Sequence, residues 1–141
     1  MLSRIAKEKV IDMGLVHAEI KLNNPQQGTV AAISTQALVD TGALHLCIPE
    51  AMSRQLNLAA ERIRRVTFAD GRCVEAPYVG PVRVEVGGRT CFVGAMVFGD
   101  EVLLGSIPME DLDLLVDPAR QQLVPRDPRG PVSMAKGFDV S

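Results

Sequence analysis

Between residues 65 and 105 the chain is interrupted every few residues: short apolar runs are separated by Asp70-Gly71, Gly80-Pro81, Gly87-Gly88, Gly94 and Gly99-Asp100. Turn formers at that density leave no room for a helix of ordinary length, so the segment must fold as strands joined by hairpins and bulges. The expected strands cover 65–68, 73–78, 82–86, 89–93 and 95–98. Val82, Val84 and Val86 alternate with Arg83 and Glu85, the period of a strand with one buried face. Upstream, Val16, Ala18, Ile20 and Leu22 alternate with His17, Glu19 and Lys21, which turns His17 to solvent. The turn formers of 23–28 then reverse the chain into strands over 29–34 and 36–40. With 4% aromatics and no Trp, the core must be built from Val, Leu, Ile, Ala and Met. The fold class is all-β, a small closed barrel with one or two short helices.

Those helices have their own signals. Pro49 suits a first helical position, and Met52 and Leu56 give an inward stripe through about Leu58. Ser106 is placed to cap a second helix, with Pro108, Glu110 and Asp111 in its first turn. A last strand pair is expected over 114–116 and 121–124, and the Pro-, Gly- and Ser-rich stretch 126–141 reads as a mobile tail.

A length of 141 residues is one domain. The net charge of −2 gives no reason to expect a nucleic-acid partner, and Arg62, Arg64 and Arg65 read as a solvated cluster at a helix-to-strand junction. No window reaches the roughly 18 apolar residues of a membrane helix, and Arg4, Lys7, Glu8, Lys9 and Asp12 break up the N-terminal segment. No membrane partner and a cytoplasmic location are therefore expected. Cys47, Cys73 and Cys91, an odd number, read as reduced thiols. His45 and Cys47 share a strand face, but no second ligand pair and no orienting group accompany them, so no metal and no cofactor are expected.

Chemistry concentrates at Asp40-Thr41-Gly42, which directly follows the apolar run Ala37-Leu38-Val39. A carboxylate where a buried strand enters a glycine turn stands on a rigid scaffold with its oxygens outside the core. The same tripeptide is also an ordinary turn sequence. Gly42 leaves room for its amide to approach the carboxylate. Asp70, before Gly71, and Asp117, before Pro118, are other acids in turn positions, and neither continues into a hydroxyl residue and a glycine. Hydrolysis of a peptide bond by carboxylates needs two of them sharing one proton. One such loop per chain supplies half the pair, and a twofold axis beside Asp40 would supply the rest.

From Leu38-Val39-Asp40-Thr41-Gly42-Ala43 onward the chain resembles the retropepsin-like aspartic proteases, more closely the small bacterial and archaeal proteins of that group. The matching pieces continue in order with Ile48-Pro49, Phe68-Ala69-Asp70-Gly71-Arg72, Val102-Leu103-Leu104-Gly105, Leu115-Val116-Asp117-Pro118 and Leu123-Val124-Pro125, and reach back to Met13-Gly14-Leu15. The resemblance implies a protease domain over 13–125, an N-terminal extension over 1–12, and an endopeptidase active as a homodimer on peptide or protein substrates. It implies Asp40 as the catalytic residue, with Thr41 bonding across the twofold axis and Gly105 letting a segment pass close under the loop. Where some aspartic proteases have Ser, this chain has Ala43, which implies a less acid-shifted optimum. Phe68, Ala69, Asp70, Gly71 and Arg72 fall where the family carries its substrate-covering flap; a single glycine and two charged residues at the tip depart from the usual glycine-rich form. The same barrel kept as a non-catalytic peptide-binding or dimerisation module is the alternative, and a cysteine- or metal-dependent hydrolase a more distant one.

Overall fold

The computed structural model describes residues 15–68, 70–127 and 129, without the side chain of residue 61. The expected extension over 1–12, Met13-Gly14, Ala69 at the flap tip and most of the expected tail lie outside these residues. Strand β1 (Val16–Asn23) pairs antiparallel with β2 (Ile33–Val39), and their register sets Val16 opposite Val39. Val16, Ile20 and Leu22 are buried and His17, Glu19 and Lys21 exposed, as the alternation requires. The two strands expected over 29–40 are one. Residues 29–32 form turns and open chain, and Asp40 lies just past the strand end.

Then come β3 (Leu46–Ile48), α1 (Glu50–Gln55), β4 (Ala60–Thr67), β5 (Cys73–Val86), β6 (Arg89–Val97), β7 (Val102–Leu104), α2 (Ser106–Leu112), β8 (Leu114–Asp117) and β9 (Gln122–Pro125). Hydrogen bonding runs β1-β2-β7-β3-β6-β5 and closes through a β1–β5 pairing, a six-stranded barrel with β4 outside the ring. The glycine breaks expected to separate strands at 79–81 and at 94 fall inside two long strands. At Gly80-Pro81 the β5–β6 register shifts, a bulge that admits a proline because ladder bonding lapses there. One edge of β5 serves β4 along 73–79 and β1 along 83–85, while β6 occupies the other. This division leaves the β4–β5 hairpin standing out from the barrel.

Two buried faces explain the unbroken apolar runs. Leu46, Ile48, Ala95, Val102 and Leu104 point into the barrel core with Ile20, Leu22, Val82 and Val84. Their chain neighbours Cys47, Met96 and Leu103 point the other way and meet Val66, Ala76, Phe68, Tyr78 and Phe98 of the hairpin side. Adjacent strand residues face opposite sides, so a three-residue strand must be apolar throughout to satisfy both layers. A fully buried Leu or Ile here contributes about 1.5–3 kcal/mol.

Pro49 is the cap of α1 and not its first residue, and α1 ends three residues earlier than expected, with Leu56 as its C-cap. Buried Asn24 decides that end: its Nδ2 donates to Leu56 O at 2.9 Å and to Asn57 O at 3.1 Å. Gly105, and not Ser106, is the cap of α2, and no acidic residue lies in the first turn. Arg62, Arg64 and Arg65 belong to β4 itself, and not to a helix-to-strand junction. The expected tail begins with anchored residues. Asp113 is 3% exposed in the left-handed region at φ 58°; it accepts from Arg126 Nε at 2.6 Å and from the Asp127 amide at 3.2 Å. Arg89 adds bonds to Leu112 O, Asp113 O and Asp127 O. Among the described residues no helix is long and apolar enough to cross a membrane.

Candidate active site

β2 delivers the chain to Asp40 through a parallel pairing with β7, Val39 opposite Leu104, and the Asp40 amide extends this ladder by donating to Leu104 O at 3.0 Å. The chain then turns: Ala43 N donates to Asp40 O at 3.1 Å, and Gly42 N to Asp40 Oδ1 at 3.0 Å. An aspartate whose own carboxylate closes the turn is held in one orientation. Behind the loop, Ser106 N donates to Ala43 O and Ile107 N to Leu44 O, both at 2.9 Å. Gly105 lies between these two limbs. A Cβ there would collide with His45 O and lie 2.7 Å from Leu44 C and 2.8 Å from Ala43 O. Its φ of −86° suits any residue, so close backbone approach alone demands glycine.

Asp40 is half-buried, Thr41 and Gly42 are exposed, and Ala43 is buried. Asp40 and Gly42 line a cavity of about 220 Å³ together with Phe68, Asp70 and Arg72 of the β4–β5 hairpin. The tip is tied by Gly71 N to Phe68 O at 2.9 Å, Phe68 N to Arg72 O at 2.8 Å and Arg72 N to Asp70 Oδ1 at 2.9 Å. Arg72 also pairs with the Asp70 carboxylate at 3.5 Å and lies over the Phe68 ring at 4.6 Å. Asp70, a second carboxylate on the same cavity, is thus engaged at both oxygens within its own turn. Asp117 accepts from Arg120 N at 3.2 Å in the β8–β9 turn and does not line this cavity.

A larger cavity, about 530 Å³, lies elsewhere, between α1 and the strands at Pro77, Val79 and Val97. Its carboxylate, Glu50, is bound to Arg54 at 2.7 Å. Size therefore points away from Asp40 and chemistry points to it; of the three carboxylates lining these two cavities, Asp40 is the one without an ion-pair partner among the described residues.

The thiols are poorly suited to nucleophilic work. Burial, aided by the negative charge of Asp40, pushes the Cys47 thiol up to about 11, and burial with Asp111 pushes Cys91 up to about 12. Neither forms a thiolate near neutrality. Cys73 is exposed beside the Thr67 hydroxyl, 3.4 Å away. Among the described residues no three His, Cys, Asp or Glu side chains are grouped to hold a metal ion.

One cluster escaped the sequence reading. Tyr78, the single tyrosine, lies edge-on to His45 at 5.8 Å between ring centroids, and the Arg64 guanidinium stacks over its ring at 4.2 Å. Gly94 makes the space, since a Cβ there would collide with the Tyr78 hydroxyl and lie 2.8 Å from Cε1. Burial and then the Arg64 charge hold the His45 pKa below its usual range. The alternation of Arg62 and Arg64 carried the signal, but it is legible only once the strand is known to begin at Ala60.

No curated protein matches this chain. Residues 26–118 match the family described as gag-polyprotein putative aspartyl protease, a span that takes in the Asp40 loop, the hairpin, β7 and Gly105. On that match, over more than half its length, the chain belongs to the gag-polyprotein aspartyl protease family, the retropepsin-like group its motifs resemble.

Proposed function

We propose that the protein is an aspartic endopeptidase, active as a homodimer in which Asp40 of each chain forms the catalytic pair. The observation that carries this reading is the Asp40 carboxylate, fixed by Gly42 N and facing a cavity shared with the hairpin tip. In the dimer the ionised Asp40 takes a proton from water while the protonated partner donates to the scissile carbonyl oxygen. The C–O bond forms, and the C–N bond then breaks with a proton delivered to the leaving amine. The hairpin covers the extended substrate, held by main-chain hydrogen bonds with alternate side chains in pockets. Apolar surface beside the loop supports the dimer. Leu44 is 59% and Ile107 42% exposed, and the two are joined through Ile107 N and Leu44 O. A second copy apposing its loop would cover them, and exposed Thr41 would then face its counterpart.

Asp70 is the weaker candidate for the second carboxylate, because its oxygens already serve Arg72. The test is Asp40→Asn. An amide neither deprotonates water nor shares a proton, so peptide cleavage should fall by at least about a thousandfold, while melting temperature and sedimentation stay near the parent's. Cleavage at the parent rate would refute the reading. Absence of cleavage by parent and variant alike, with peptide still bound, would favour the non-catalytic module.

A further inference from the structure

The β4–β5 hairpin carries several arginines, and they are not equivalent. Arg65 pairs with Glu75 at 3.7 Å and Arg72 with Asp70 at 3.5 Å, both exposed pairs. Arg64 has no described carboxylate within ion-pair distance and is half-buried. It shares a strand face with Val66, which is buried against Cys47 and Met96, whereas Ile63, Arg65 and Thr67 face outward and are exposed. From this inner face the guanidinium sits over the Tyr78 ring, whose edge meets His45, and His45 belongs to the segment that leaves the Asp40 loop. Cys47, two residues on and inside β3, packs with Tyr78 and Phe68, and its thiol feels the Asp40 charge. Tyr78 and Phe68 pack on one apolar cluster between β3 and the hairpin, and Phe68 also lines the Asp40 cavity.

Stacking uses the flat face of a guanidinium and leaves its in-plane N–H donors free, in a fork that matches a carboxylate. A stacked arginine is also preorganised, because the ring holds it in place before any ligand arrives. We propose that Arg64 receives an acidic side chain of the bound peptide, so that this protein selects substrates with Asp or Glu at one fixed position from the scissile bond. The inference rests on the reading that peptides lie between the hairpin and the Asp40 loop. Arg64 is a specificity-determining residue, Tyr78 its platform, and Gly94 the space that lets the platform lie there. Burial and then the Arg64 charge lower the His45 pKa, which favours its uncharged form beside Arg64.

Binding is measured first, separately from chemistry. The full chain carrying Asp40→Asn is used to capture peptides from a synthetic library randomised at each position, and the bound fraction is sequenced by mass spectrometry. Asp and Glu should be enriched over Asn and Gln at one position by about tenfold, equivalent to about 1.4 kcal/mol. Adding Arg64→Glu should reverse the preference towards Lys and Arg. Arg64→Lys, which keeps the charge and loses the fork, should retain a smaller enrichment, and unchanged melting temperatures would show that each variant folds. No acidic enrichment at any position, or an enrichment that survives Arg64→Glu, would overturn the proposal. Cleavage of the same library by the unsubstituted chain judges the protease reading separately. Cleavage without acidic preference leaves the protease and removes the Arg64 site; Arg64-dependent acidic binding without cleavage does the reverse.

Discussion

A methyl group added at Gly105 would run into the carbonyls that form the underside of the Asp40 loop, with backbone on every near side and no flexible side chain to yield. Overpacking of that kind typically costs about 1–3 kcal/mol, here delivered directly to the loop that holds the carboxylate. Gly105→Ala should lower the melting temperature and reduce cleavage per folded molecule, whereas Gly28→Ala, at a position with open space, should do neither. Equal melting temperatures and activities for the two variants would show that the loop has slack. A role for Gly105 could be suspected from its place after Val102-Leu103-Leu104. The atoms it approaches could not, because they belong to residues sixty positions earlier in the chain.

At the scale of elements, the turn between α2 and β8 is fastened by a residue that local rules misjudge. Asp113 stands between Leu112 and Leu114, a carboxylate in an apolar run, and becomes the shared acceptor for Arg126 and the Asp127 amide, with Arg89 at 3.6 Å. Arg89 is 13% exposed, so removing the carboxylate strands a nearly buried cation; Arg126 is largely exposed and contributes less. Asp113→Ala should destabilise the fold by about 3 kcal/mol, the low end for a broken buried pair, with some added cost for Ala in a left-handed conformation. Urea denaturation measures this, and a loss below about 1 kcal/mol would reduce the cluster to a solvated ion pair. The two long strands carry a similar lesson. Gly80-Pro81 and Gly94 read locally as breaks, but β5 and β6 run past them because pairing resumes on either side, Val79 opposite Ala95 and Val82 opposite Val93, so they form a bulge and not a strand end.

For the whole molecule, one Asp40 per chain makes the proposed activity a property of association. Specific activity should fall on dilution, with the rate tending towards the square of total protein once most chains are monomeric. Sedimentation over the same concentrations should show dissociation at the same midpoint. A constant specific activity in a monomeric sample would refute the shared site and turn attention to Asp70 on the same cavity. Covering Leu44 and Ile107 is the most direct source of apolar burial for such a dimer, so polar residues at both positions should shift that midpoint upward.

The sequence by itself settled the all-β class, the place of the Asp40 turn and the family, because these rest on local quantities: alternation in 16–22 and 82–86, and a carboxylate followed by a hydroxyl residue and a glycine after an apolar run. Tertiary structure decided what depends on contacts between distant residues. It set which glycine breaks end a strand, that Asn24 closes α1, that Asp113 ties 126–127 to the barrel, and that Arg64 lies on Tyr78 instead of in solvent. In each of these the deciding partner lies far along the chain or across a strand pair. Side-chain type announces a capacity for a bond, and only the folded barrel brings the second atom within reach.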